Sequence, residues 1–317
     1  MAVARTASGS IPGPAGATLK NLGGPETGTV KAGPTDPATV IPPIASRFVA
    51  GEDAATALDH VASINDDGVA GILNLLGEHY DDRAAAAADR DAYLELIDDI
   101  TATGVDACIS VKPSQIGLDV GESVFRENFA QIVEAAADQD VFVWLDMEDH
   151  TTTDATLDAF EAETTAYDGG VGVCVQANLR RTSEDLERLA ALPGKVRLVK
   201  GAYDPPADIA FRNKERVNTA YKNDLAYMFE HFDDGIAVGS HDPEMIDRAR
   251  TLHTEHGTDY EIQMLMGVRE DAQRRFAAEV PVYQYVPYGG KWLSYFYRRV
   301  LERKENLVFA LRAVLGR

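Results

Sequence analysis

Basic residues are scarce in this chain: 30 Lys and Arg stand against 51 Asp and Glu, a formal net charge of −21 over 317 residues. A surface so charged repels phosphate backbones and anionic headgroups over most of its area, so nucleic acid is excluded as a partner. Asp outnumbers Glu and Arg outnumbers Lys, an acidic surface of halophilic type whose self-repulsion high salt would screen. Cysteine is nearly absent. Its two positions, Cys108 and Cys174, fall inside apolar strand-like runs and read as buried free thiols, not as a disulfide or a metal pair. No apolar run approaches the roughly 18 residues a membrane span needs, and the N-terminus lacks a charged-then-apolar signal, so a cytoplasmic location is expected. Also missing are a glycine fingerprint between strand and helix, a P-loop, a His/Cys/carboxylate cluster at metal-ligand spacing, and a Ser or Cys nucleophile with a positioned His. No metal ligand is therefore expected.

What is present is a repeat of pattern. Residues 1–40 are rich in Gly, Pro, Ala and Thr without apolar periodicity and read as a disordered leader; residues 41–317 read as one folded domain. Ala54 to Ile64 reads as an amphipathic helix. Apolar runs then recur at 70–78, 107–114, 141–148, 172–179, 196–203, 235–242, 260–267 and 281–289, with helical periodicity between them. Strands that are apolar on both faces and alternate with helices imply parallel pairing, and eight such units close a (βα)8 barrel of TIM type. A doubly wound open sheet is the alternative architecture.

Barrel chemistry gathers at the C-terminal ends of the strands. Polar residues stand there on nearly every unit: Lys112, Asp146 with Glu148, Gln176 with Asn178, Arg197 and Lys200, His241, Gln263 and Tyr285. Each has an ordinary structural explanation taken alone, as an ion pair in the barrel mouth or a satisfied core amide. Their convergence is harder to explain so, because buried polar groups without partners are costly.

The last motif poses a separate question. "YQYVPYGGKWLSYFYRRV" turns at a glycine pair into a helix on which Leu293, Phe296, Tyr297, Val300 and Leu301 gather on one side and Tyr295, Arg298, Arg299 and Glu302 on the other. The arginine face looks either at water or at an anionic ligand. "VRLVKGAYD", "EIQMLMG" and above all "YVPYGGKWLSYFYRRVLERKEN" resemble the FAD-dependent proline dehydrogenases of monofunctional microbial type, in order over roughly residues 41–317. The resemblance implies a (βα)8 barrel whose eighth helix lies over the mouth, so that the arginines face the site. It implies that L-proline is oxidised to Δ1-pyrroline-5-carboxylate, the first step of proline catabolism, by hydride transfer to FAD.

By matching position, the resemblance makes Arg298, Arg299 and Lys112 ligands of the proline carboxylate, with Tyr285, Tyr295, Leu265 and Ala202 against the proline ring. Asp146 matches a carboxylate that orients the site. Gln176, Arg197, Lys200, Gly201, Ala202, Tyr203, Ser240, His241, Gln263 and Glu302 match positions that contact FAD. Asn178 stands where the family commonly has an aromatic, and Ser240 where it commonly has Thr. The resemblance further implies a quinone or other electron acceptor, met at the inner face of the membrane if it is quinone, and a separate pyrroline-5-carboxylate dehydrogenase. Two other readings of the same residues are a class I aldolase using Lys200 as a Schiff-base lysine and a non-catalytic acidic binding protein.

Overall fold

Eight strands form a closed sheet in sequence order: β1 (Ala70–Leu75), β2 (Ala107–Val111), β3 (Val143–Leu145), β4 (Val171–Gln176), β5 (Lys195–Val199), β6 (Ile236–Gly239), β7 (Tyr260–Leu265) and β8 (Val282–Tyr288). The computed structural model describes Ile41, residues 45–293 and Tyr295. The expected leader lies outside those residues, as do Arg298, Arg299 and Glu302. Every neighbouring pair of strands is parallel, and β1 closes the ring on β8 with Ile72 opposite Tyr285. The barrel expected from the eight apolar runs is the observed fold.

Among the described residues, seven helices follow β1 to β7: α2 (Arg83–Thr103), α3 (Glu122–Ala137), α4 (Thr153–Ala166), α5 (Thr182–Leu189), α6 (Lys214–His231), α7 (Pro243–His256) and α8 (Glu270–Ala277). An additional helix, α1 (Ala54–Asn65), precedes β1 and packs where β1 meets β8. Local chemistry sets their starts. Asp53 accepts the Thr56 N–H at 2.8 Å, Asn213 those of Glu215 and Arg216, and Asp242 that of Glu244 with Pro243 in the first turn. Each cap satisfies N–H groups that a helix start leaves without an internal acceptor.

The strands alternate between two environments. Outward residues such as Leu73, Ile109, Val173, Leu198 and Ile262 join helix residues such as Leu96, Phe129 and Leu225 in the main core. Inward residues form a smaller, mixed interior: Ile72, Cys108, Trp144 and Ala237, with Phe142, Tyr283 and Tyr285 against them. The Trp144 ring lies so close to β4 that a Cβ at Gly172 would meet it at 2.5 Å, so glycine is needed there. Both cysteines are buried and free. A third apolar cluster joins Ala45, Val49, Leu76, Trp292 and Tyr295, tying the start of the described chain to the segment after β8.

Candidate active site at the barrel mouth

The period of two along a strand aims Ser110, Lys112, Arg197, Gln263 and Tyr285 inward and leaves Asp146, just past β3, among them. Asp146 is the hub. Its Oδ1 accepts from Ser110 Oγ at 2.7 Å and from the Arg197 guanidinium; its Oδ2 accepts from Lys112 Nζ at 2.7 Å and Tyr285 OH at 2.7 Å. Lys112 Nζ also donates to the Tyr285 hydroxyl at 3.2 Å, and Arg197 Nη1 donates to Gln263 Oε1 at 3.0 Å. The Arg197 guanidinium lies 4.9 Å from the centre of the Trp144 ring, a cation–π contact in a desolvated place.

The charges follow from these contacts. Burial alone would push the Asp146 carboxyl up, but the Lys112 and Arg197 cations overcome it and hold the group well below the usual carboxylate range. For Lys112 burial favours the neutral amine, yet the Asp146 carboxylate outweighs it and holds the pKa well above its ordinary value. Burial, then the Asp146 charge, push the Tyr285 phenol up, so it stays a hydrogen-bond donor. The hub thus sets two cations against one carboxylate, a mouth suited to an anionic ligand.

Around the hub the predicted residues divide. Gln176 donates its Nε2 to the Glu148 carbonyl at 2.9 Å, and the Glu148 carboxylate accepts from Ser114 N and Ser114 Oγ, both at 2.7 Å, fixing the loop after β2 to the end of β3. Burial raises the Glu148 pKa. The backbone N–H of Leu265 donates to His241 Nε2 at 3.3 Å, and the N–H of Asp242 donates to Ser240 Oγ at 3.1 Å. Lys200 stands on the outward phase of β5, one residue past its end, and donates to Asn218 Oδ1 and Asp242 Oδ2, both at 2.6 Å. It joins β5 to α6 and α7. Gly201 and Tyr203 line a cavity of about 200 Å³ with Asn178 and Lys200, while Ala202 is exposed. Tyr295 is buried beside Trp292. Ser110 was not singled out in the sequence, although it stands two residues before Lys112 on the same face of β2, which is the signal that would have found it.

The model of the family described as "Proline dehydrogenase" matches residues 57–312. The chain belongs to the proline dehydrogenase family. It is 36% identical over 282 residues to the proline dehydrogenase of Deinococcus radiodurans, covering 86% of this chain and 90% of that protein. It is 32% identical over 277 residues to proline dehydrogenase 1 of Bacillus subtilis strain 168, with the same coverage on both sides, 86% and 90%. Among solved structures, proline utilization A from Bdellovibrio bacteriovorus, inactivated by N-propargylglycine, has the same fold at a TM-score of 0.74 and 21% identity, over 82% of this chain. The chain spans 32% of that longer protein. Proline dehydrogenases are oxidoreductases, so the aldolase and binding-protein readings are not favoured, and the Asp242 carboxylate on Lys200 gives the aldolase reading no support.

Proposed function

We propose that this member of the family oxidises L-proline to Δ1-pyrroline-5-carboxylate at the barrel mouth, with FAD as the cofactor. The observation that carries the reading is the Asp146 hub. An ammonium has three donors, and Lys112 gives two of them to Asp146 and Tyr285, which leaves one for a substrate carboxylate oxygen. The Tyr285 ring, oriented by its bond to Asp146, offers an apolar wall to the substrate ring carbons. Arg298 and Arg299 would supply planar forks of donors to the same carboxylate, a role that rests on the family motif.

The residues present fit a flavin. Oδ1 of Asn178 is buried with no hydrogen-bond partner among the described residues, an acceptor waiting for a donor beside the cavity lined by Gly201 and Tyr203. Gly201 has φ +104°, and a Cβ there would stand 2.2 Å from that oxygen, so the position needs glycine. By the family motif, Arg197, Gln176, Gln263 and His241 would border the flavin, as would Ser240 and Glu302. FAD bound there would supply a two-electron acceptor: proline would lose a hydride from C5 and a proton from its amine, and a C=N bond would form. The protein binds the carboxylate, orients the ring and keeps Tyr285 protonated.

Residues 41–317 form the catalytic domain in this reading, and deletion of residues 1–39 leaves turnover intact. The electron acceptor is a quinone or another carrier, and a separate pyrroline-5-carboxylate dehydrogenase consumes the product. No helix of the described residues is long and apolar enough to cross a membrane; the protein works in the cytoplasm, at the inner face of the membrane when the acceptor is quinone. The test is the absorbance spectrum of the purified protein before and after anaerobic proline. A flavin spectrum bleached by proline, with the product identified by mass, supports the reading. A colourless protein that binds no added FAD overturns it.

A further inference from the structure

The hydrogen bonds of the hub do not stop at the mouth. Gln263, which accepts from Arg197, donates its Nε2 to Oε1 of Glu261 at 2.6 Å, and Oε2 of Glu261 accepts from Lys195 Nζ at 2.6 Å. Glu261 and Gln263 are two apart on β7, and Lys195 and Arg197 two apart on β5, so both pairs point inward. The chain of contacts therefore runs along the barrel axis, from Asp146 at the C-terminal ends of the strands to Lys195 at the N-terminal end. Lys195 and Glu261 border a cavity of about 330 Å³ at that end, and the lysine stands 5.0 Å from the Phe142 ring centre. Glu261 is only 6% exposed.

A side-chain amide has one accepting end and one donating end. Arg197 can only donate and the Glu261 carboxylate can only accept, so the two together admit one orientation of Gln263. Lys195 then closes the far end, since it too can only donate. We propose that Glu261 is a positioning residue for Arg197: its carboxylate holds the Gln263 amide with Oε1 toward the guanidinium, and Lys195 holds the carboxylate. A neutral amide at position 261 offers one oxygen where the carboxylate gives each neighbour its own. If its oxygen accepts from Gln263, its NH2 meets the Lys195 ammonium. If its oxygen accepts from Lys195, its NH2 meets the NH2 of Gln263, and turning Gln263 sets donor against donor at Arg197. The second arrangement carries the conflict to the mouth; the first confines it to Lys195 and strips the amide at 261 of the lysine that held the carboxylate in place.

The proposal rests on the reading that Arg197 borders the flavin. It is tested on the full-length holoenzyme by the midpoint potential of the bound flavin and by kcat and KM for proline, in Glu261→Gln, Gln263→Leu, the double variant and Arg197→Lys. Expected for Glu261→Gln is a raised flavin potential, because a buried negative charge is lost, and a fall in kcat of about tenfold with KM changed less than about twofold. In the Gln263→Leu background the same change at 261 should move kcat by less than about twofold, because the link is already cut. A full tenfold effect persisting there would mean that charge alone acts and would overturn the positioning role. So would wild-type kcat in Glu261→Gln. Should Glu261→Gln fail to fold, Lys195→Met/Glu261→Gln removes the facing donor, and wild-type-like kcat there with loss in Lys195→Met alone supports the proposal; equal loss in both overturns it. If Arg197→Lys leaves the potential unmoved, the placement of Arg197 by the flavin has failed; if it moves the potential and Glu261→Gln moves neither quantity, only the present inference has.

Discussion

Tyr285 on β8 donates its phenolic hydrogen across the barrel to Oδ2 of Asp146, past the end of β3, at 2.7 Å, and the same oxygen accepts from Lys112 at 2.7 Å. One carboxylate oxygen thus orients both the ring and the ammonium assigned to the substrate. Tyr285→Phe keeps the ring and removes the tether. The expected outcome is retained flavin with kcat/KM for proline lowered by about tenfold, the worth of one hydrogen bond of about 1.4 kcal/mol to a charged group. Steady-state kinetics with flavin quantified per chain checks it; unchanged kcat/KM would show that the ring is held by packing alone.

Removing the Asp146 charge should cost more in stability than any other change at the mouth. Asp146→Asn leaves Lys112 and Arg197 buried against a group that can no longer neutralise them, a loss of about 3 to 5 kcal/mol by analogy with broken buried pairs. The double variant Lys112→Met/Asp146→Asn should recover part of that loss. Urea unfolding of the two proteins gives the comparison.

The same group sets an acid limb. Because the folded pKa of Asp146 lies below its unfolded value, the unfolded chain binds more protons, and stability rises with pH through that window. The contribution is present above about pH 4, the ordinary carboxylate value, and is lost as pH falls through the lower folded pKa. The melting temperature should fall below pH 4 in the wild type and fall less steeply in Asp146→Asn.

Asp224 on α6 gives the opposite sign. It is buried and has no hydrogen bond or ion pair among the described residues, and burial pushes its carboxyl up to about 7. A raised carboxylate costs nothing when both states are protonated and costs most above the folded pKa, so its penalty grows between about pH 4 and 7. Asp224→Asn should therefore raise the melting temperature more at pH 8 than at pH 4. An equal gain at both pH values would count against the buried charge.

Gly201→Ala tests the cofactor cradle. A side chain at φ +104° is strained by about 1 to 3 kcal/mol, and its Cβ would displace Asn178 from 2.2 Å. Flavin per purified chain should fall well below one, while circular dichroism stays close to wild type. Full occupancy would separate Asn178 from the flavin site.

The architecture was legible in the sequence because it depends on local pattern. Eight apolar runs alternating with helical periodicity could close only a few ways, and the strand ends marked Lys112, Arg197, Lys200, Gln263 and Tyr285 for the mouth without separating inward from outward phase. The family motifs were legible for the same reason, being contiguous in the chain. Contacts between strands far apart in sequence were not. Nothing in "VRLVK" says that Arg197 would reach Asp146, or that Lys200, on the opposite phase, would meet Asp242 and Asn218. Nor does "YEIQ" say that Glu261 and Gln263 would bridge Lys195 to Arg197 through the interior. The sequence by itself determined which residues each strand presents, through alternation and burial. Only closure of the barrel decided which of them meet, because hydrogen bonds and charge pairs form between side chains that the ring brings within reach, and that distance is a property of the whole fold.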